Sequence, residues 1–442
     1  MKIVVVGCTH AGTASVVNMK NLYPNSQITI YEKNDNISFL SCGIALSVSN
    51  IVTSPEKLFY NSPENLSSQG IITNMKHEVL DINFDNKTLL VKNLTTEDIF
   101  EDNYDKLVLT LGSWPIVPKF KGGNLENIVL CKNYEHAKTI IQKSEEAKNV
   151  VVIGAGYIGV ELAEAFEVKN KNVTLIDSQD RIMAKYLDKE FTDMVEAEFT
   201  KRGVKLALGQ TVQKFEGDRK VSRVITDKNE YEADLVVLCI GFAPNTNLIK
   251  GKLDTLPNGA IIIDEYMRTS KEDVFAAGDC CVVRFNPANE NRYIPLATNA
   301  VRMGTLVARN LVKPTLKYMG TQGTSGIKIY DLSIASTGLT EEVAKSTTSL
   351  NVASVTAIDN YRPEFMPTFE EAKLKLVYDK DTRKIIGGQI ISKIDLTQYM
   401  NTLSVVIQNE MTIEELAITD FFFQPHFNKP WSLLNTVALM AL

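Results

Sequence analysis

The chain reads as an α/β protein with two Rossmann-like nucleotide-binding units and a C-terminal α+β domain, and three observations carry that reading. A strand, a small-residue turn, a helix-compatible stretch, a second strand and a terminal acid occur in that order twice. From about Lys313 onward this pattern gives way to mixed strands and helices. A length of 442 residues leaves room for two or three domains, each with its own core.

The first copy begins with the apolar strand Ile3-Val4-Val5-Val6 and the turn Gly7-Cys8-Thr9-His10-Ala11-Gly12. A helix-compatible stretch, the strand Gln27-Ile28-Thr29-Ile30-Tyr31 and Glu32 follow. The second copy runs Val150-Val151-Val152-Ile153, Gly154-Ala155-Gly156-Tyr157-Ile158-Gly159, a helix through about Val168, the strand Asn172-Val173-Thr174-Leu175-Ile176 and Asp177. Each acid lies about twenty residues beyond the last small turn residue, where a carboxylate meets a ribose hydroxyl. One glycine fingerprint is weak evidence, because any tight strand-to-helix turn favours glycine. Two complete copies are far more specific. Thr9 replaces the middle glycine of the first copy, yet it is small enough for a pyrophosphate to approach the helix N-terminus.

The strand Leu107-Val108-Leu109-Thr110-Leu111 enters the small turn Gly112-Ser113 and closes the first half-domain. Leu235-Val236-Val237-Leu238-Cys239, with the turn Ile240 to Asn245 that contains Gly241, leaves an inserted domain. Val274-Phe275-Ala276-Ala277 is a further strand, ending in Gly278-Asp279. Strands are also expected at Lys373–Tyr378 and Gly387–Ile391. The implied organisation is a discontinuous domain (1–112 and 240–312), an inserted domain (113–239) and a C-terminal domain (313–442).

Composition narrows the class. Apolar residues at 44% and charged ones at 23% are ordinary for a soluble globular protein. A net charge of -6 without a long basic run argues against nucleic acid as the main partner. No apolar run approaches a membrane span. Met1-Lys2 leads directly into the first strand, so no signal peptide fits before it. The six cysteines have neither zinc-site nor disulfide-framework spacing, which suits the reducing cytoplasm and predicts no metal. Cys8 and the adjacent Cys280-Cys281 read as buried small hydrophobes.

Cys42, in Ser38-Phe39-Leu40-Ser41-Cys42-Gly43-Ile44-Ala45-Leu46, is different. Ala45 stands where a C-x-x-C pair would close, and Leu46 fills the next place. A lone thiol can still cycle through sulfenic acid, which points to reduction of oxygen or peroxide rather than dithiol exchange. If Cys42 opens a helix, the helix dipole lowers its pKa and favours the thiolate. His10, in the first turn, is the second candidate catalytic group: it could protonate a departing oxygen, or simply hydrogen-bond within the turn.

Taken in order and spacing, Gly7-x-Thr9-His10-Ala11-Gly12, Ser38-Phe39-x-x-Cys42-Gly43, Gly154-x-Gly156-Tyr157-x-Gly159-x-Glu161 and Phe275-Ala276-Ala277-Gly278-Asp279 resemble the flavin-dependent pyridine nucleotide–disulfide oxidoreductases. The resemblance runs from Met1 to the C-terminus. It lies in the single-cysteine branch of NADH oxidases, NADH peroxidases and coenzyme A disulfide reductases, nearest to the water-forming NADH oxidases. It implies FAD and NADH as cofactors. Gly7, Thr9 and Gly12 would hold the FAD pyrophosphate, Glu32 its adenosine ribose and Asp279 its ribityl chain. Ala297-Thr298-Asn299-Ala300 would start a helix facing the flavin pyrimidine edge. Ala11, Lys33, Cys42, Thr110 and Gly112 complete the implied FAD set. Gly154, Gly156, Ile158, Gly159 and Gly241 would hold NADH, with Asp177 on its ribose and Tyr157 as a gate over the flavin. Asp177 suits a 2′-hydroxyl and repels a 2′-phosphate, with Arg181 a partial offset, so NADH is expected over NADPH.

The resemblance also implies a cycle in which two NADH and one O2 give two water molecules. Cys42 thiolate takes the distal peroxide oxygen, releases water and becomes a sulfenic acid; the second NADH restores it. An NADH peroxidase would use the same Cys42 and His10. Coenzyme A disulfide reduction would want an arginine cluster and a Pro-Tyr after the cysteine, where Ile44-Ala45 stand. An NADH-binding redox sensor without turnover would want a partner-binding module, and no helix-turn-helix signature or basic face appears. The aromatic, proline-broken stretch Phe421 to Trp431 reads as interface core. A homodimer follows, to whose partner site His426 or Phe427 could contribute in trans.

Overall fold

The computed structural model describes residues 1–442. Three five-stranded sheets, two parallel and one antiparallel, form its frame, each flanked by its own helices or smaller sheets. The first sheet has the strand order Val274–Ala276, Lys106–Leu109, Lys2–Val6, Gln27–Glu32 and Ile72–Met75, all parallel. Val4, Val5, Leu107 and Val108 are fully buried, as parallel strands covered on both faces must be. Helices His10–Leu22 and Ala297–Asn310 pack together against it. They approach so closely at Gly304 that a Cβ there would overlap the Ala11 carbonyl oxygen.

The second sheet has the order Lys205–Ala207, Asn172–Ile176, Asn149–Ile153, Leu235–Leu238 and Ile128–Leu130, again parallel. Helices Tyr134–Glu146, Tyr157–Glu167 and Lys189–Lys201 bury their apolar faces in one core with Val150, Val152, Leu175 and Val237. Two antiparallel strands, Ser113–Pro115 and Phe242–Pro244, pair where the chain crosses between the parallel sheets.

The C-terminal sheet is antiparallel, ordered Ser325–Ile329, Leu332–Gly338, Ile385–Ser392, Glu371–Asp379 and Val352–Asn360. Helices Gln398–Gln408, Ile413–Ala417 and Leu433–Leu439 share its core. The fold class is therefore the expected one. Two three-stranded antiparallel sheets were not anticipated. Strands within 77–103 extend the first core through Val79, Ile82, Leu89 and Val91. Strands within 212–232 cover the second sheet through Phe215, Val224 and Tyr231. No helix is long and apolar enough to cross a membrane.

An ionic cluster ties the second sheet's helices to the C-terminal sheet. Lys375, 3% exposed within the strand Glu371–Asp379, places its Nζ 3.0 Å from Asp188, 2.7 Å from Glu190 and 2.8 Å from Glu341. Burial opposes its charge, but the hydrogen bonds of Glu190 and Glu341 and the Asp188 charge outweigh it and raise its pKa. Gln389 donates through Nε2 to Asp188 at 2.7 Å and accepts from the Asp188 amide at 2.7 Å. Beside this cluster, Arg181 pairs with Glu342 of the C-terminal part.

Candidate active site

The first turn is a cradle that side chains would fill. Gly7 has φ +88°, and a Cβ on it would overlap the Thr110 carbonyl oxygen. A Cβ on Gly12 would overlap the Gly7 carbonyl oxygen, and Thr110 Oγ1 donates to that same oxygen at 2.7 Å. Thr9 caps the helix His10–Leu22 without a side-chain hydrogen bond, so the first amides remain available to an anion. Glu32 is 5% exposed at the end of its strand and accepts from the Cys8 amide at 2.7 Å and the Asn34 amide at 2.9 Å. Burial pushes its carboxyl pKa up, against the pull of those bonds. Gly278 carries the same corner to the last strand, because a Cβ there would lie 2.9 Å from Ala11 and 3.5 Å from Ala300.

The second turn repeats the device. Gly154 has φ +105°, and a Cβ on Gly159 would overlap the Gly154 carbonyl oxygen. Gly156 caps Tyr157–Glu167 without a side-chain bond. Asp177 accepts from the Ala155 amide at 2.5 Å and the Gln179 amide at 2.7 Å. Ile158 sits half-buried in the first turn of that helix. Gly112 and Gly241, both at positive φ, flank the paired linkers. These two cradles, each with an uncapped helix start and a carboxylate at the neighbouring strand end, fit dinucleotide cofactors such as FAD and NADH.

Cys42 faces solvent in the single turn Ser41–Gly43. Its loop closes tightly: a Cβ on Gly43 would strike the Leu58 side chain, and the Leu40 amide donates to Leu58 O at 2.9 Å. Ser38, at φ +59°, donates from its amide to Cys8 O at 3.2 Å and anchors this loop to the first turn. The other five cysteines are less open: Cys8, Cys131, Cys280 and Cys281 are buried, and Cys239 is partly so. Cys280 and Cys281 lie unbonded with their sulfurs 3.7 Å apart.

The helix-dipole expectation fails here. Cys42 precedes rather than opens the helix, which begins at Ile44 and ends at Val48. Crowding by the surrounding protein raises the thiol pKa, Glu161 raises it further, Lys132 opposes, and Asp279 adds to the rise. Glu161 is itself pushed up to about 7, by burial and then by the neighbouring Glu164 charge.

Lys132 joins the two halves of the site. Its Nζ donates to Ser113 Oγ at 2.9 Å, lies 3.3 Å from Asp279 Oδ2 and stands 4.5 Å from the centre of the Phe242 ring. Ser113 Oγ donates to the same Asp279 oxygen at 2.8 Å. His10 begins the helix His10–Leu22 and shares a 2.9 Å hydrogen bond between Nδ1 and the Tyr60 hydroxyl. Burial lowers its pKa, with Asp279 opposing and Lys132 reinforcing.

Other candidates have partners that sequence did not reveal. Lys33 pairs with Glu78 at 2.7 Å, on the surface. Arg181 is held by Glu342 rather than left free to offset Asp177. Tyr157, expected as a gate, bonds through its hydroxyl to Ser325 of the C-terminal sheet at 2.8 Å and packs against Tyr186 with ring centres 4.4 Å apart. Ala297, Thr298 and Ala300 do begin the helix Ala297–Asn310. His426 and Phe427 are exposed; His426 contacts Gln424 and accepts from Arg362 through its carbonyl at 3.0 Å. Ser113, Lys132 and Tyr60 were missed as site residues, because each is an isolated polar or aromatic residue outside any motif.

Two dinucleotide cradles in one chain, with an exposed cysteine in a loop anchored to the first, define the class of the dinucleotide-dependent oxidoreductases. Residues 1–304 match the family model of the pyridine nucleotide-disulphide oxidoreductases, and residues 324–433 match that family's dimerisation domain. The chain belongs to this family. It is 56% identical over 444 residues to an NADH oxidase of Enterococcus faecalis, covering 100% of this chain and 99% of the relative. It is 53% identical to the water-forming NADH oxidase of Lactobacillus brevis solved with NADH, with a TM-score of 0.98 and coverage of 100% and 98%. An engineered NADPH-oxidising form of that protein, solved with NADPH, superposes equally well, at 53% identity, TM-score 0.98 and coverage of 100% and 98%.

Proposed function

We propose that the protein is a FAD-dependent NADH oxidase that reduces O2 to water, consuming two NADH and two protons per O2. The observation that carries this reading is a solvent-facing thiol, Cys42, beside two dinucleotide cradles and without a second open cysteine. The family match and the NADH oxidase relatives support it. When bound, FAD supplies hydride acceptance from NADH and electron delivery to oxygen.

Gly7, Thr9, Ala11, Gly12, Glu32 and Thr110 hold the FAD pyrophosphate and adenosine ribose, with Asp279 and the helix start at Ala297 completing that site. Gly154, Gly156, Ile158, Gly159 and Asp177 hold NADH. Cys42 carries the second half of the oxygen reduction. Its thiolate sulfur takes one peroxide oxygen, the O–O bond breaks, and the departing oxygen leaves as water. The sulfenic acid returns to thiolate with two electrons from a second NADH, releasing the second water. Lys132, rather than a helix dipole, supplies the positive charge that favours the thiolate. His10 delivers a proton to the departing oxygen.

The chain divides into a first dinucleotide domain (1–112 and 240–312), an inserted second one (113–239) and a dimerisation domain (313–442). Phe422, Phe423 and Phe427, all exposed in the single chain, cover a second copy in a homodimer and bring His426 or Phe427 to its site. Unpaired thiols suit a cytoplasmic setting.

The test is the ratio of NADH to O2 consumed, with H2O2 assayed in the same sample. A ratio of two without peroxide is expected. A ratio of one with matching peroxide would refute water formation.

A further inference from the structure

Tyr60 lies fifty residues from His10 in sequence, yet its hydroxyl stands 2.9 Å from His10 Nδ1. The two rings are nearly parallel, at 6° with centroids 5.7 Å apart. Tyr60 is brought there by the Cys42 loop. The segment on either side of it is sewn to residues 38–40: Leu58 O accepts from the Leu40 amide at 2.9 Å, Phe39 bridges Phe59, and Ser38 Oγ both accepts from the Asn61 amide at 2.8 Å and donates to its carbonyl at 2.7 Å. The thiol loop and the histidine are thus held by one short stretch of chain.

A neutral imidazole has one protonated nitrogen and one acceptor, and a neighbour's hydrogen bond decides which is which. Two facts make Tyr60 the donor. Burial pushes its hydroxyl up to about 12, so it keeps its proton at neutral pH. Burial also favours neutral His10, which then has a free acceptor nitrogen. The charged groups that bear on His10 are Asp279 and Lys132, of opposite sign; Thr13 and Cys8 bear on Tyr60. Nε2 of His10 has no hydrogen-bond partner within the chain.

We infer that Tyr60 is a positioning residue: it donates to Nδ1, holds His10 in the Nε2–H tautomer, and so presents that N–H as the proton for the peroxide oxygen that departs when Cys42 takes the other. Its use in turnover rests on the proposed function, but the tautomer does not. The Cys42 loop thereby has a second task, fixing the acid that serves its own thiol.

The experiment is nitrogen NMR of the FAD-loaded full chain labelled with 15N-histidine. Only four histidines are present, and His10→Gln assigns the signal. The expected result is a protonated Nε2 and an unprotonated Nδ1 for His10 from about pH 6.5 to 8. Tyr60→Phe, which keeps the ring, should give a mixture of tautomers, with H2O2 release increased by about tenfold and KM for NADH unchanged. A protonated Nδ1 in the parent protein, or an unchanged spectrum in Tyr60→Phe, overturns the inference, whether or not the variant folds well enough for kinetics. If the parent protein makes peroxide while the Nε2–H tautomer and its loss in Tyr60→Phe are observed, the water-forming reading falls and the positioning stands.

Discussion

Lys375 and Asp188 meet at 3.0 Å across the boundary between the second parallel sheet's helices and the C-terminal sheet, each almost wholly buried. One ammonium faces three carboxylates there, so removing it leaves acids of like charge confined together. Lys375→Met should destabilise the protein by about 3–5 kcal/mol, read from denaturant unfolding of the loaded enzyme. The pH dependence carries the sign. Burial tends to raise the Glu341 pKa, but hydrogen bonds from Lys345, Lys375 and Ser354 bring it down to about 2. Its stabilising contribution is therefore present above its ordinary pKa of 4.5 and lost as pH falls toward 2. The variant should lose less stability than the parent over that interval; an identical acid profile would mean that Lys375 does not set it.

Cys42→Ser retains the cradles but removes the sulfur proposed to accept oxygen. NADH oxidation should continue, with O2 consumption near one per NADH and H2O2 as the product. A variant that still formed only water would exclude the sulfenic acid cycle.

Glu161 works against the thiolate at Cys42. Glu161→Gln removes a charge without changing shape, so the pH midpoint for iodoacetamide alkylation of Cys42 should move down. Stability should move as well. A carboxyl raised from 4.5 to about 7 stabilises the folded state relatively at low pH, and that advantage disappears as pH rises through about 7. The variant should therefore gain on the parent above pH 7, by at most about 3 kcal/mol and less after solvent screening. Differential scanning calorimetry at pH 5 and pH 8 distinguishes this from a uniform effect.

Asp177→Ala should lower kcat/KM for NADH by about 10- to 100-fold, the worth of a hydrogen bond to a charged group. Discrimination against NADPH should shrink with it, because the repelling carboxylate is gone. Steady-state kinetics with both coenzymes reads the two effects separately.

How far the sequence disclosed this site depends on how local each constraint is. Gly7, Gly12, Gly154 and Gly159 were legible because a cradle that overlaps any Cβ leaves one residue type, and Glu32 and Asp177 because they recur at a fixed distance. Lys132, Ser113 and Tyr60 were not, since their roles exist only after strands from distant segments meet. Lys375 did carry a signal, a lysine inside the apolar run Leu374 to Val377, whose meaning needed the three acids of other elements. The small sheets within 77–103 and 212–232 escaped because their strands are short, exposed on one side and weakly alternating.

The exposed aromatics near the C-terminus make a prediction about assembly. Phe422 and Phe427 are 69% and 62% exposed. Phe422→Asp should shift sedimentation toward the mass of a single chain while leaving the secondary structure intact.

The ion pair between Arg181 and Glu342 has a consequence for redesign. The segment that follows Asp177 is clamped at its far end, where Arg181 and Asp188 both grip the C-terminal part of the chain. The backbone on which Asp177 meets its surroundings is therefore fixed partly from outside the second dinucleotide unit. A new cation placed on that span to meet a 2′-phosphate would sit on a backbone that Arg181 and Asp188 already anchor to the C-terminal part of the chain.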